Sequence, residues 1–239
     1  MISDNPLQRQ ESANANLLRL AHPAHPALNS EAAISYACSV RGAAKPCGIA
    51  EREMGGRGLW LQREAANLRD AIFNSIAAIP ANRAKGAIPA SPYRRLDAGA
   101  VGSVVADYPL QLTAPGDSRV IGTVEFLLKH SFYSGGFFQD MIHSGINAYL
   151  TLSIAQTLLR NHDRRYRRLL ETVAGLASPT GQWPEAIHPK TGGGCMGDGQ
   201  HGWAAAEWVM MIRNLFVREE GRQLVIGSGL LPEWLEGQT

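Results

Sequence analysis

Three segments of this 239-residue chain gather side chains able to do chemistry. Residues 83–97 hold Tyr93, Arg94, Arg95 and Asp97. Residues 131–145 hold Phe137, Phe138, Gln139, Asp140, His143 and Ser144. Residues 177–202 hold Gln182, Trp183, Glu185, His188, Asp198, Gln200 and His201, with Trp203 just beyond. Carboxylates mixed with aromatic faces and amides suit a carbohydrate. Aromatic rings cover the C–H faces of a sugar, while Asp, Gln, Arg and His bond its hydroxyls. Two carboxyl groups flanking one bond are also what glycoside hydrolysis requires. Glu185 and Asp97 are the candidate pair. Arg95, Asp140, His143, Trp183, His188, Asp198, Gln200, His201 and Trp203 are the candidate binding wall.

Each of these residues has a plainer reading. Glu185 can cap a turn, and Asp97 precedes a helical stretch whose N-cap it can be. Trp208 lies among Met211, Ile212 and Leu215 and reads as core. His188, Cys195 and His201 stand at a spacing that matches no compact zinc site, so no metal is expected. Glycines 192–194, 197 and 199 do not follow a strand and open a helix as a phosphate loop does, so no nucleotide cofactor is expected.

The elements that must position these groups read mainly as helices. "LWLQREAANLRDAIFNSIAAI" puts Leu61, Ala65, Leu68, Ile72, Phe73 and Ile76 on one stripe. "LDAGAVGSVVADYPL" is small and apolar, suited to a tightly packed helix that Pro109 stops. "SRVIGTVEFLLKHSF", "GINAYLTLSIAQTLLRN", "DRRYRRLLETVAGLAS" and "HGWAAAEWVMMIRNLFVREE" follow, the third with Asp163 available as N-cap. Tight connections alternate with long glycine-rich ones. Antiparallel hairpins joined by tight turns at one end collect their long loops at the other. The three chemistry-bearing loops should therefore share one end of the array.

Bulk properties narrow the class. Hydrophobic content of 45% and charged content of 18% are those of an ordinary globular protein. A formal net charge of +2 gives no footprint for nucleic acid, and the arginines of "RNHDRRYRR" read as a solvated helix start. No uncharged run approaches the roughly 18 residues needed to span a bilayer. Three cysteines without CxxC spacing, and no apolar core near the N-terminus, point to reduced thiols and a cytoplasmic setting. Residues 1–57 lack clear periodicity and read as a loosely attached or partly disordered segment.

"PEAIHPKTGGGCMGDGQHGWAAAEW" resembles the last long loop and final helix of the six-hairpin (α/α)6-barrel glycosidases, in their glucosidase and trehalase-like branches. The resemblance rests on Glu185, His188-Pro189, Thr191-Gly192 and Gly202-Trp203. "SGINAYLTLSIAQTLL" is similar to a hairpin helix of that group, and "LVIGSGLLPEWLEG" to the start of the β-rich region that often follows such barrels. The resemblance implies that Glu185 is the general base of an inverting mechanism. The family's general acid lies on an earlier hairpin, and Asp97 is the best substitute within this chain. Twelve helices of roughly 12 residues with connections of roughly 5 need well over about 250 residues.

The expected architecture is therefore all-α. It is a partial toroid of antiparallel helix hairpins over 58–221, preceded by the 1–57 segment, with a short β segment over 222–239. The expected function is a glycoside hydrolase-like protein acting on or binding a carbohydrate. The alternative is a non-catalytic helical fragment or scaffold. Half a barrel exposes apolar helix faces, so it would form a homo-oligomer or pair with a missing half.

Overall fold

A computed structural model describes residues 50–140 and 144–234, with side chains over 60–140, 144–231 and 233–234. Residues 1–49, expected to be loosely attached, lie outside the described residues, as does His143. The chain divides into two compact units, Met1–Leu96 and Asp97–Thr239. Among the described residues, no helix is long and apolar enough to cross a membrane.

In the first unit, helix α1 spans Ala50–Ala77. Its expected stripe buries Leu68 and Ile72, while Leu61, Ala65, Phe73 and Ile76 are half-buried. One further turn, α2 (Ala81–Ala84), ends at Lys85, which has a left-handed backbone.

The second unit begins with a 3-10 helix, Ala98–Ala106. Its run of Ala, Gly and Val packs closely enough that eight of its nine residues are buried. It lies along α3 (Ser118–His130) and α4 (Ala148–Arg160), and α4 packs against α5 (Arg165–Gly175) and α6 (Gly202–Phe216). Leu127, Leu152, Leu158, Leu159, Val173, Met211 and Leu215 fill the space between them. The start of α5 departs slightly from expectation: Asp163 accepts from the Arg165 amide at 2.9 Å, and Arg164 occupies the cap position.

The all-α expectation is wrong. Among the described residues about half are helical and 12% are in strands. Five short strands form an antiparallel sheet in the order β1 (Phe132–Tyr133), β2 (Gly136–Gln139), β3 (Gly145–Ile146), β4 (Ala186–Ile187) and β5 (Gly194–Met196). A second sheet is a hairpin of β6 (Val217–Glu220) and β7 (Gln223–Ile226), and a 3-10 turn, Pro232–Trp234, follows. The glycine-rich connections are thus paired backbone. Strands of two to four residues are too short to show the period-2 alternation that marks a strand in sequence.

The end of α4 remote from the first sheet is closed by a buried charge network. Arg160 bonds Asp107, the Thr113 carbonyl (3.1 Å) and both carboxylate oxygens of Glu220. It ties α4 to the 107–117 connection and to β6.

Candidate functional site

The first sheet joins two loops that lie far apart in the chain. β2 and β3 form a hairpin within 131–147, and Ile146 on β3 pairs with Ile187 on β4. Asn147 then caps α4 by accepting from the Leu150 amide at 3.1 Å, so the sheet runs directly into a helix start. Gly145 permits the strand contact. A Cβ there would stand 2.9 Å from the Ala186 Cβ and 2.8 Å from the Cys195 sulfur. The 131–145 and 177–202 loops, expected to share one end, are therefore a single hydrogen-bonded layer. The 83–97 loop belongs almost wholly to the other unit, where Arg95 is exposed.

Glu185 precedes β4 and is half-buried. The glycine-rich loop folds back over it: Gly197, at φ +76, would place a Cβ 3.4 Å from the Glu185 Cβ. That left-handed backbone favours glycine. No side chain among the described residues bonds or pairs with the Glu185 carboxylate. Asp97 accepts from the Gly99 amide at 2.9 Å and caps the 3-10 helix, as its plainer reading has it. The far end of that helix, Asp107, sits against Arg160 at the end of α4 remote from the sheet.

The candidate wall residues fall in several places. Trp183 is buried; its indole N–H donates to the Val173 carbonyl at 2.8 Å and its ring packs on Trp208. It is a core residue of the α5–α6 junction, with no open face for a ligand. Exposed His188 shapes the β4–β5 turn, its Nδ1 facing the amides of Lys190 and Thr191 at 3.3 Å. Asp198 accepts from the Gln200 amide at 3.0 Å in a local turn. Asp198 and Gln200 line a groove of about 600 Å³ with Ser178, Thr180 and Gln182. Trp183, Glu185, His188 and His201 are not among the residues lining that groove. Asp140 is exposed at the end of β2.

His201 and Trp203 belong to a cluster of rings. Tyr149 stands 5.1 Å from His201 and 5.4 Å from Trp203, centroid to centroid, and Trp203 is 65% exposed. The His201 amide donates to the Trp183 carbonyl, which anchors the start of α6 two residues from Glu185. Its Nδ1 is buried without a hydrogen-bond partner among the described residues.

The sequence reading passed over what lies beneath these rings. One turn along each helix, Ser153 donates to the Glu207 carboxylate at 3.2 Å. Burial raises the Glu207 pKa, and the Ser153 bond opposes that rise. Further along, Asn214 bonds Gln156 at 2.8 Å and the Tyr108 hydroxyl at 2.5 Å. The Gln156 Nε2 is buried and has no partner among the described residues. A polar seam thus runs between α4 and α6 from the ring cluster inward. The available signal was Glu207 and Asn214, seven apart on a mostly apolar helix and so on one face.

No family model matches the chain, and no curated protein matches it. Solved structures do. A wild-type glycosidase matches with a TM-score of 0.54 at 16% identity, over 76% of this chain and 45% of that one. A glycosidase variant in complex with glucose matches with the same score, identity and coverage. A further glycosidase variant matches at a TM-score of 0.53. The chain spans under half the length of these structures and shares a glycosidase-like fold with them.

Proposed function

We propose that this chain acts on or binds a neutral, hydroxylated sugar, within the glucosidase and trehalase-like group of six-hairpin glycosidases. In this reading Glu185 is the general base of inverting hydrolysis. It takes a proton from a water whose oxygen attacks the anomeric carbon, while a second carboxyl gives its proton to the departing oxygen. The two carboxyls then stand about 6.5–9.5 Å apart to admit that water. Asp97 is the proposed acid.

The observation that supports this best is the Ile146–Ile187 pairing. It seats the Glu185 loop on the 131–147 loop and beside the start of α4, in a fold shared with glycosidases. Glu185 there is half-buried and free of any side-chain partner among the described residues, as a base awaiting a water must be. In this reading Trp203, Tyr149 and His201 supply the rings, and His188 and Asp140 the polar rim, while Asp198 and Gln200 line a groove of their own.

The test is turnover of a panel of aryl glycosides, with glucose binding followed by tryptophan fluorescence. Glu185→Gln should abolish turnover and keep binding; full activity in that variant removes Glu185 from the mechanism. Asp97→Asn should do the same without loss of fold, because Asn caps a helix as well as Asp. An active Asp97→Asn variant leaves Asp97 as a cap only. A wild-type chain that binds no sugar and turns over no glycoside is the helical scaffold of the alternative reading.

A further inference from the structure

Helices α4 and α6 both begin at the first sheet, and their first turns meet in successive rungs. Tyr149 meets Trp203 at 5.4 Å between ring centroids. One turn further along, Ser153 meets Glu207 at 3.2 Å. Residues four apart share a helix face, and helical side chains lean toward the N-terminus. The Glu207 carboxyl therefore lies behind the rings and leans toward them. Trp203 is the exposed edge of this group, and Glu207 is half-buried beneath it. Ser153 occupies one oxygen of Glu207. Among the described residues the other oxygen has no hydrogen-bond partner, and no cation pairs with the group. His201, whose ring touches Tyr149 and Trp203, likewise leaves its buried Nδ1 open. A carboxyl taken out of water with one hydroxyl as its partner costs stability, and polar groups left open in this way call for a ligand or a water to complete them. Packing gives no reason for an acid here. The Ser153 hydroxyl lies 3.0 Å from the Tyr149 carbonyl, a second acceptor for its one proton, and Ala204, Met211 and Leu215 supply the buried apolar face of α6.

We propose that Glu207 fixes the orientation of the sugar: a ring lying on Trp203 and Tyr149 sends one hydroxyl inward to the open carboxyl oxygen. The inference rests on the sugar reading of the sheet end. The rings and the acid then have different tasks. An aromatic face covers the C–H face of a sugar and tells one hydroxyl from another poorly. A carboxyl at a fixed depth behind that face does discriminate. Only the hydroxyl that reaches it gains the bond, and an analogue lacking that hydroxyl leaves the buried oxygen open again. Glu207 is thus a specificity-determining residue, and proton transfer stays with Glu185 and Asp97.

The test is calorimetric titration of the full chain with glucose and with each of its monodeoxy analogues. In the wild type at least one analogue should bind about tenfold or more weakly than glucose, the worth of one hydrogen bond to a carboxylate. Glu207→Leu should bind glucose more weakly by a similar factor. It should bind that one analogue as the wild type does, so that the two losses do not add. The variant should stay folded, since the Ser153 hydroxyl keeps the Tyr149 carbonyl. If circular dichroism shows that it does not, Glu207→Gln replaces it: an amide keeps the acceptor for Ser153 but bonds a hydroxyl more weakly, and the gap between glucose and that analogue should narrow. A Glu207→Leu variant that binds glucose as well as the wild type overturns the inference and leaves the sugar site standing, with a water completing Glu207. Losses that add overturn it too, because Glu207 then touches no hydroxyl of the sugar. A wild type that binds no glucose overturns the sugar reading and this inference with it.

Discussion

Among the described residues Glu207 has the Ser153 hydroxyl as its side-chain hydrogen-bond partner beneath the ring cluster, and burial raises its pKa. The sign of the effect on stability follows from linkage. A carboxyl whose folded pKa lies above its unfolded value contributes stability below the unfolded pKa and loses it as pH rises through the folded one. Glu207→Gln keeps an acceptor for Ser153 and cannot ionise. The variant should therefore match the wild type at acid pH and become the more stable of the two as pH rises above the ordinary carboxylate range. Urea midpoints across that range measure this; a variant that loses stability relative to the wild type as pH rises would mean that the ionised carboxylate is held by a cation. The ring residues show the limit of reading such side chains by type. Trp183 and Trp203 carry the same indole and bracket the same loop, yet one is core and the other open. The difference is which of them meets Trp208 and the Val173 carbonyl, and those partners are brought together by the packing of α5 and α6 on α4.

At the scale of elements, the helices and the C-terminal β run were legible and the strands of the first sheet were not. Periodic apolar residues fixed α3 to α6, because one-sided burial imposes their spacing. β3 and β4 are two residues each, and what identifies them is their pairing across forty residues of chain. Glycine at 145 was readable as a loop residue but is there for strand contact. Gly145→Ala should push β3 from β4 and cost about 1–3 kcal/mol, the usual penalty of overpacking. Amide exchange should quicken at Ile146 and Ile187 while the α4–α5 core stays protected; unchanged exchange at both would show that the sheet yields without parting. The opposite end of α4 depends on charge. Burial pushes the Asp107 carboxyl up to about 6 against the pull of Arg160, from an ordinary 3.8. What this group contributes to stability is thus present below 3.8 and lost as pH rises through about 6. Arg160→Met strands Asp107 beside Glu220 and should cost about 3–5 kcal/mol near neutral pH. It also removes the pull of Arg160 and leaves only the Asn161 bond to hold Asp107 down, so its deficit should widen between about pH 5 and pH 8. A deficit independent of pH would mean that Asp107 stays neutral in both proteins.

At the scale of the whole molecule, the question is which part of the chain is a folding unit. The boundary at Leu96–Asp97 leaves the 3-10 helix, α3 to α6 and both sheets together. The charge network, the polar seam and the ring cluster all lie within that second unit: Asp107, Arg160 and Glu220; Tyr108, Gln156 and Asn214; Tyr149, His201 and Trp203. So do Val104, Leu127, Leu152, Leu158, Val173 and Leu215, each at most 1% exposed. A unit of about 140 residues buries enough of its surface to be stable alone. A fragment of residues 97–239 should therefore unfold in one cooperative transition with the helical signal of packed α3 to α6. It should also keep the pH dependence that Asp107 gives the full chain. Calorimetry and far-ultraviolet circular dichroism on the fragment test this. If the fragment shows helical signal without a cooperative transition, the second unit's core is closed by residues before Asp97, and the site at its sheet end depends on them as well.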